Sequence, residues 1–258
     1  MNTLTIISIL THDALRRARR QRHLPVLIVV ALAVAGGTGY LTFFGSTRYE
    51  QFLFHIMMLA LPVLSVVTAV LSGAWMLPQY IQSHTVHLVL ARPVRRWHVV
   101  AGNFIGALLT SLGSYIVFAG IFLAAFWWRG VPFPPATWHA VLLLAVQVAF
   151  FTALSQCFSL LTTPLMTVTV CILYFFIGQL VQPTLAATLA AGSILSEPLA
   201  WLAYIALPHI NYFNLTAAVV HQWPAVAFMR LLPVVCYGTG WTLLLLLCTV
   251  WRFERCEL

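Results

Sequence analysis

Six runs of apolar residues, each about as long as a lipid bilayer is thick, dominate this chain. They are residues 24–44, 52–77, 97–128, 137–161, 164–183 and 229–251. A helix needs about 20 apolar residues to cross the hydrocarbon core, and in lipid it must satisfy every backbone N–H and C=O internally. The runs are therefore predicted to be spanning helices. Several are long enough to tilt or to reach into the headgroups. Composition agrees: 62% of the 258 residues are hydrophobic and 7% are charged, where a soluble domain carries roughly a quarter charged residues. The chain reads as all-α, a single polytopic transmembrane domain over residues 1–258.

Arginine sets the orientation. With the N-terminus in the cytoplasm, ten arginines lie inside and only Arg48, Arg129 and Arg230 lie outside. That is the bias expected of an even number of spans with both ends cytoplasmic. Residues 184–207 compete as a seventh span. Glu197-Pro198 interrupts them, and a seventh crossing would carry Arg252 and Arg255 outside. Two short helices at the outer surface are predicted instead, within an external segment over 184–228. The region from Gln182 to Trp223 is expected to form a cap or vestibule.

The first 23 residues do not read as a cleavable signal. The arginine cluster precedes a run long enough to span, and no small-residue cleavage site follows. The segment places Ile6, Ile7, Leu10 and Ala14 at apolar positions, with Asp13 spaced to pair with Arg16 or Arg17. Two readings fit. One is an interfacial helix over 1–23 held to anionic lipid by its arginines; the other is a cluster that only orients the chain.

Several functions are excluded by what the spans lack. The five acidic residues, Asp13, Glu50, Glu197, Glu254 and Glu257, all fall in loops or termini. Without an intramembrane ionisable group, an ion-coupled transporter, a proton relay or an acidic channel ring is disfavoured. Every one of the 13 basic residues is arginine. A phosphate-binding loop needs its lysine, so this chain does not carry that nucleotide site. The five cysteines show no metal spacing and read as small buried hydrophobes. His55 with Met57 and Met58 reads as packing rather than a copper site, because adjacent methionines point apart on a helix. No catalytic cluster is present. No cofactor, metal or nucleic-acid partner is expected.

Small residues mark close helix contacts. Gly102 and Gly106 form a GxxxG pair at the start of the third run. Such a face packs against another helix, within the chain or in a second copy.

The stretch between the second and third runs is unlike a loop. Residues 79–94 place Ile81, Val86, Leu88, Val89 and Leu90 among polar Gln82, Ser83, His84, Thr85 and His87. That mixture suits a short interfacial helix on the cytoplasmic side. Pro93 biases Arg92 away from helical backbone and ends it. "HTVHLVLARPVRR" resembles the run that bacterial ABC type-2 permeases carry there, with matches at Thr85, Leu88, Leu90, Arg92, Pro93, Val94 and Arg96. "GNFIG" is similar to their GKF-like start of span three, at Gly102 and Phe104. The layout of six spans, "LPHINYFN" before the last span, and the tail "WRFERCEL" extend the resemblance over the whole chain. It looks closest to the branch of multicopper-enzyme-maturation permeases. The chain departs from the pattern at Gln79, Gln82 and Ser83, where relatives carry acid, at His84 for glycine, and at Asn103 for lysine.

The resemblance implies a role for the stretch. It would be a coupling helix docking a separate ATP-hydrolysing subunit, with Thr85, Leu88, Val89, Leu90, Arg92, Pro93 and Arg96 at the contact. Without the acidic residues, shape and apolar contact would carry the docking. Two permease copies and two ATPases would form an exporter in a bacterial inner membrane. The turn Leu160–Leu165 would lie near a second ATPase contact. The alternative is a non-transporting membrane scaffold or assembly factor.

Overall fold

A computed structural model describes residues 3–18, 23–38, 49–82, 96–190, 208–224 and 228–255. Every regular element among them is helical. In order these are α1 (Thr3–Ala18), α2 (His23–Gly37), α3 (Tyr49–Gln82), α4 (Arg96–Trp128), α5 (Ala136–Ser159), α6 (Pro164–Ala190), a 3-10 turn (Ile210–Phe213), α7 (Thr216–Val220) and α8 (Phe228–Arg255). Four stretches are long and apolar enough to cross a membrane: Glu50–Pro78, Arg96–Trp128, Ala136–Ser159 and Leu231–Arg255. Leu24–Gly37 and Pro164–Gln179 are shorter apolar helices.

Two boundaries differ from the sequence reading. Gln79–Gln82, assigned to a separate interfacial helix, form the last turn of α3. No helix breaker separates them from span two: Pro78 is accommodated inside α3, as proline often is in membrane helices. Likewise α6 continues through Pro183 to Ala190, into the segment expected to hold separate surface helices. "TLAATLA" contains only alanine, leucine and threonine, and alanine and leucine are strong helix formers that carry a helix on once it has started. Residues 83–95, with most of the expected coupling helix, and residues 191–207 lie outside the described part.

The bundle is built around α3 and α5. Each has 61% of its most apolar stretch buried, against 33% in α4 and 17% in α8. Lipid gives helices no hydrophobic drive to associate, so close approach and interhelical hydrogen bonds must hold them. Both are present. Gly73 of α3 faces Ser155 of α5, and a Cβ at position 73 would lie 2.8 Å from the Thr152 carbonyl. The Ser111 and Thr152 hydroxyls pair at 3.1 Å, and Tyr115 Oη donates to the Val141 carbonyl at 2.6 Å. A chain of rings fills the centre: Phe54 stacks on Phe126 at 5.0 Å, and Phe151 meets Phe175 edge-on at 5.7 Å.

Outer surfaces are as apolar as the interior. On α8, Leu243, Leu247 and Trp251 are exposed. Trp127, Trp128 and Trp138 are exposed together at one end of α4 and α5, and Trp97 lies at the opposite end of α4. Tryptophans at both ends of apolar helices match the interfacial belts of membrane proteins. The protein is thus a helical, membrane-embedded one.

One glycine turns the chain at the Trp127/Trp128 end. Gly130 has φ +68°, and the Val131 N–H bonds back to the Phe126 carbonyl while the Gly130 N–H reaches Trp127. This left-handed cap requires glycine to avoid a Cβ clash. The short link to Pro135 then aims α5 back alongside α4.

Candidate functional site

Of the residues assigned to coupling, Thr85, Leu88, Val89, Leu90, Arg92 and Pro93 lie outside the described residues. Arg96 is the first residue of α4. Its Nη1 donates to the carbonyls of Phe253 (3.2 Å) and Glu254 (2.9 Å), at the C-terminus of α8. The last carbonyls of a helix have no partner within it and carry a partial negative charge, so a guanidinium is a natural cap. Arg96 therefore ties the start of α4 to the end of α8.

Gly102 and Gly106 are buried, and α1 of the same chain fills their face. A Cβ at position 102 would lie 2.6 Å from Leu10 Cβ, and one at 106 would collide with Ala14 Cβ. Leu10 and Ala14 are buried, and Ala14 joins Met76 of α3 and Ala107 of α4 in one cluster. Of the two openings left by the sequence, packing within the chain is the one observed. The expectation for α1 changes with it. Two of the apolar positions assigned to lipid are spent on protein instead, because the glycine face offers closer packing than acyl chains do. Asp13 pairs with Arg17 at 2.7 Å on the other side.

The pairings Leu10–Gly102 and Ala14–Gly106 advance together, so α1 runs parallel to α4. Further on, Arg129 at the far end of α4 donates to Thr38 Oγ1 (2.6 Å) and the Ala35 carbonyl (3.0 Å), capping α2. From α5, Gln156 Nε2 donates to the Val100 carbonyl at 3.1 Å. The base of α4 is thus held by α1, α5 and α8. The turn after α5 lies at the same end, and there Leu161, Leu165 and Met166 are exposed.

The opposite half of the bundle is open. A chamber of about 380 Å³ lies between α3, α5, α6 and residues 213–216. Met58, Leu144, Phe175 and Phe213 are buried around it, and His55, Leu59, Phe176 and Asn214 stand at exposed positions. Gln147 of α5 lines the chamber. It is 1% exposed, and its Nε2 has no hydrogen-bond partner. Polar residues at the mouth pair with each other: Asn214 Nδ2 donates to Gln179 Oε1 at 2.8 Å, and Asn214 Oδ1 accepts from the Thr216 N–H at 2.9 Å.

Just before this, His209 fastens the segment ahead of α7 to α8. Its N–H donates to Tyr237 Oη at 2.8 Å, and its ring stacks on Tyr212 at 5.0 Å. Burial lowers the pKa of His209 below its ordinary value of 6.5. Tyr174 Oη donates to the Pro208 carbonyl at 2.9 Å and fixes the same segment to α6.

Sequence reasoning missed the chamber. Its signal was available as one amide, Gln147, inside "LLLAVQVAFF". A lone buried amide in an apolar helix calls for a partner as an ionised group does, at lower cost. Among the described residues no group of three or more His, Cys, Asp or Glu side chains is placed to hold a metal ion. No model of a known protein family matches the chain, and no curated protein matches it.

Proposed function

We propose that the chain is the membrane-spanning permease subunit of an ABC transporter, working as an exporter with a separate ATPase. Six spans would cross a bacterial inner membrane with both termini cytoplasmic, α2 and α6 completing the four long apolar helices. Two permease copies would meet two ATPases. The observation that carries this reading is the run "TVHLVLARPVRR", which leads without a linker into the braced base of α4.

That arrangement suits transmission of force. A helix rises 1.5 Å per residue, so α4, with its 33 residues, is a rod about 50 Å long. A push at residues 83–95 enters one end. Arg96 links it to α8, the Gly102/Gly106 face links it to α1, and Gln156 links it to α5. These elements would move with α4 rather than slide past it. The absence of lysine fits a chain that leaves ATP hydrolysis to a partner.

Co-purification from detergent tests the reading. An ATPase carrying its own phosphate-binding lysine should come down with the intact chain. Replacing Val89 and Leu90 together by Asp should abolish that association, while the chain still inserts and elutes as before. If association survives the double change, the coupling assignment fails. If no ATPase accompanies the unchanged protein, the scaffold reading replaces it.

A further inference from the structure

We infer that the chamber around Gln147 is a binding site for a single-chain amphiphile whose polar group is an uncharged hydrogen-bond acceptor. This goes beyond the transporter reading and does not rest on it. Its volume, about 380 Å³, falls within the roughly 300–1,000 Å³ of ligand sites. At roughly 30 Å³ per water-sized group, it accepts about a dozen methylenes, which is one chain and not two.

The walls select the chemistry. Among the described residues no arginine, lysine or carboxylate lines the chamber, and the one titratable side chain there is His55, at an exposed position. A phosphate or carboxylate deep inside, away from His55, would be buried without a countercharge, which is strongly unfavourable. The donor at Gln147 Nε2, unpaired and sealed from solvent, wants an acceptor. The mouth amides do not supply it, since Asn214, Gln179 and Thr216 are occupied with one another. An ester or amide carbonyl, or a hydroxyl, attached to an acyl chain satisfies Gln147 and fills the apolar space together.

The rim selects the source. Leu59 (64% exposed) and Phe176 (45% exposed) stand at the opening on α3 and α6. An apolar rim on membrane helices admits a ligand from lipid more readily than from water. The occupant is therefore a membrane-resident neutral lipid such as a monoacylglycerol.

Photolabelling tests this with the purified full chain in phosphatidylcholine nanodiscs. The probe is a monododecanoyl glycerol with a mid-chain diazirine and a terminal alkyne; the reference is the same chain as a plain hydrocarbon. Ester-probe adducts should concentrate on residues 55–63, 140–147 and 175–179, about tenfold over the exposed face of α8 around Leu243. Unlabelled monododecanoyl glycerol should compete, and dodecanoate should not. Gln147→Leu should lower ester labelling roughly tenfold and leave hydrocarbon labelling unchanged, as loss of one buried hydrogen bond implies. Val63→Phe, at a partly buried lining position, should reduce both probes by narrowing the chamber. Labelling spread evenly over α8 and the chamber would overturn the site. Equal competition by dodecanoate, or an unchanged ester-to-hydrocarbon ratio in Gln147→Leu, would overturn the assigned chemistry.

Discussion

The base of α4 and the chamber beside α5 solve the same problem in opposite ways. Both are built on apolar helices of similar hydropathy, and both contain a glutamine that is almost fully buried. At the base, Gln156 Nε2 reaches the Val100 carbonyl, glycines let α1 press against α4, and Arg96 caps α8. At the chamber, Gln147 Nε2 reaches nothing, and the helices stand apart around about 380 Å³. Close packing, with Gln156 Nε2 paired across it although Gln156 Oε1 and Thr11 Oγ1 have no partner, gives a part that moves as one piece. A void with an unpaired donor gives a part waiting for a ligand, because an empty buried amide is costly unless something fills it.

Substitutions at the two glycines should break the contrast most severely. Gly102→Leu combined with Gly106→Leu drives side chains into Leu10 and Ala14, and overpacking of this kind costs roughly 1–3 kcal/mol per site. The expected outcome is release of α1. Limited trypsin digestion at Arg16 and Arg17 should become much faster, and the melting temperature should fall. Digestion at the rate of the unchanged protein would show that the glycine face does not hold α1.

The two ends should next respond with opposite signs to losing a polar group. Gln147→Leu removes an unpaired buried amide and is expected to raise thermal stability in ligand-free detergent by about 1 kcal/mol. Tyr115→Phe removes a made hydrogen bond, to the Val141 carbonyl, and should lower stability by about 1 kcal/mol. Melting curves measured side by side check both. A fall with Gln147→Leu would mean that its amide is already satisfied.

Arg96→Ala is a smaller change at the base. It frees the Phe253 and Glu254 carbonyls, partly exposed, at a cost of about 1 kcal/mol or less. Hydrogen exchange should quicken in the last turn of α8 and stay unchanged in α5.

The smallest effect expected is pH-dependent and lies next to the chamber. His209 has a lowered pKa because it is partly buried. A lowered histidine pKa means that the fold prefers the neutral ring. That contribution is intact above pH 6.5 and is lost as pH falls below it, when the unfolded chain takes up a proton the fold resists. Melting temperature should decline between neutral and mildly acidic pH, and His209→Gln should flatten the decline.

Much of this architecture was legible in the sequence, and the gaps have physical causes. Apolar length alone located α4, α5 and α8 to within a few residues, since lipid leaves few alternatives to a continuous helix. The ends of α3 and α6 were harder. Polar Gln79 and Gln82 and the proline at 183 look like boundaries, but a helix already formed carries through them. Gly102 and Gly106 announced a contact without naming its partner. That partner, α1, is far away in sequence and joins only through tertiary packing. Gln147 was passed over because a search for charge inside the membrane does not register an amide. Its significance depends on the void beside it, which no local pattern encodes.

One cross-linking measurement bears most directly on the central proposition, that the segment ahead of α4 presses on an ATPase. A photoactivatable amino acid replaces Leu90 in the full chain and is irradiated in intact cells. A single dominant adduct is expected with a cytoplasmic ATPase bearing its own phosphate-binding lysine, its yield changing when that ATPase is trapped with nucleotide. Adducts only with lipid, or with proteins on the outer side of the membrane, would contradict it.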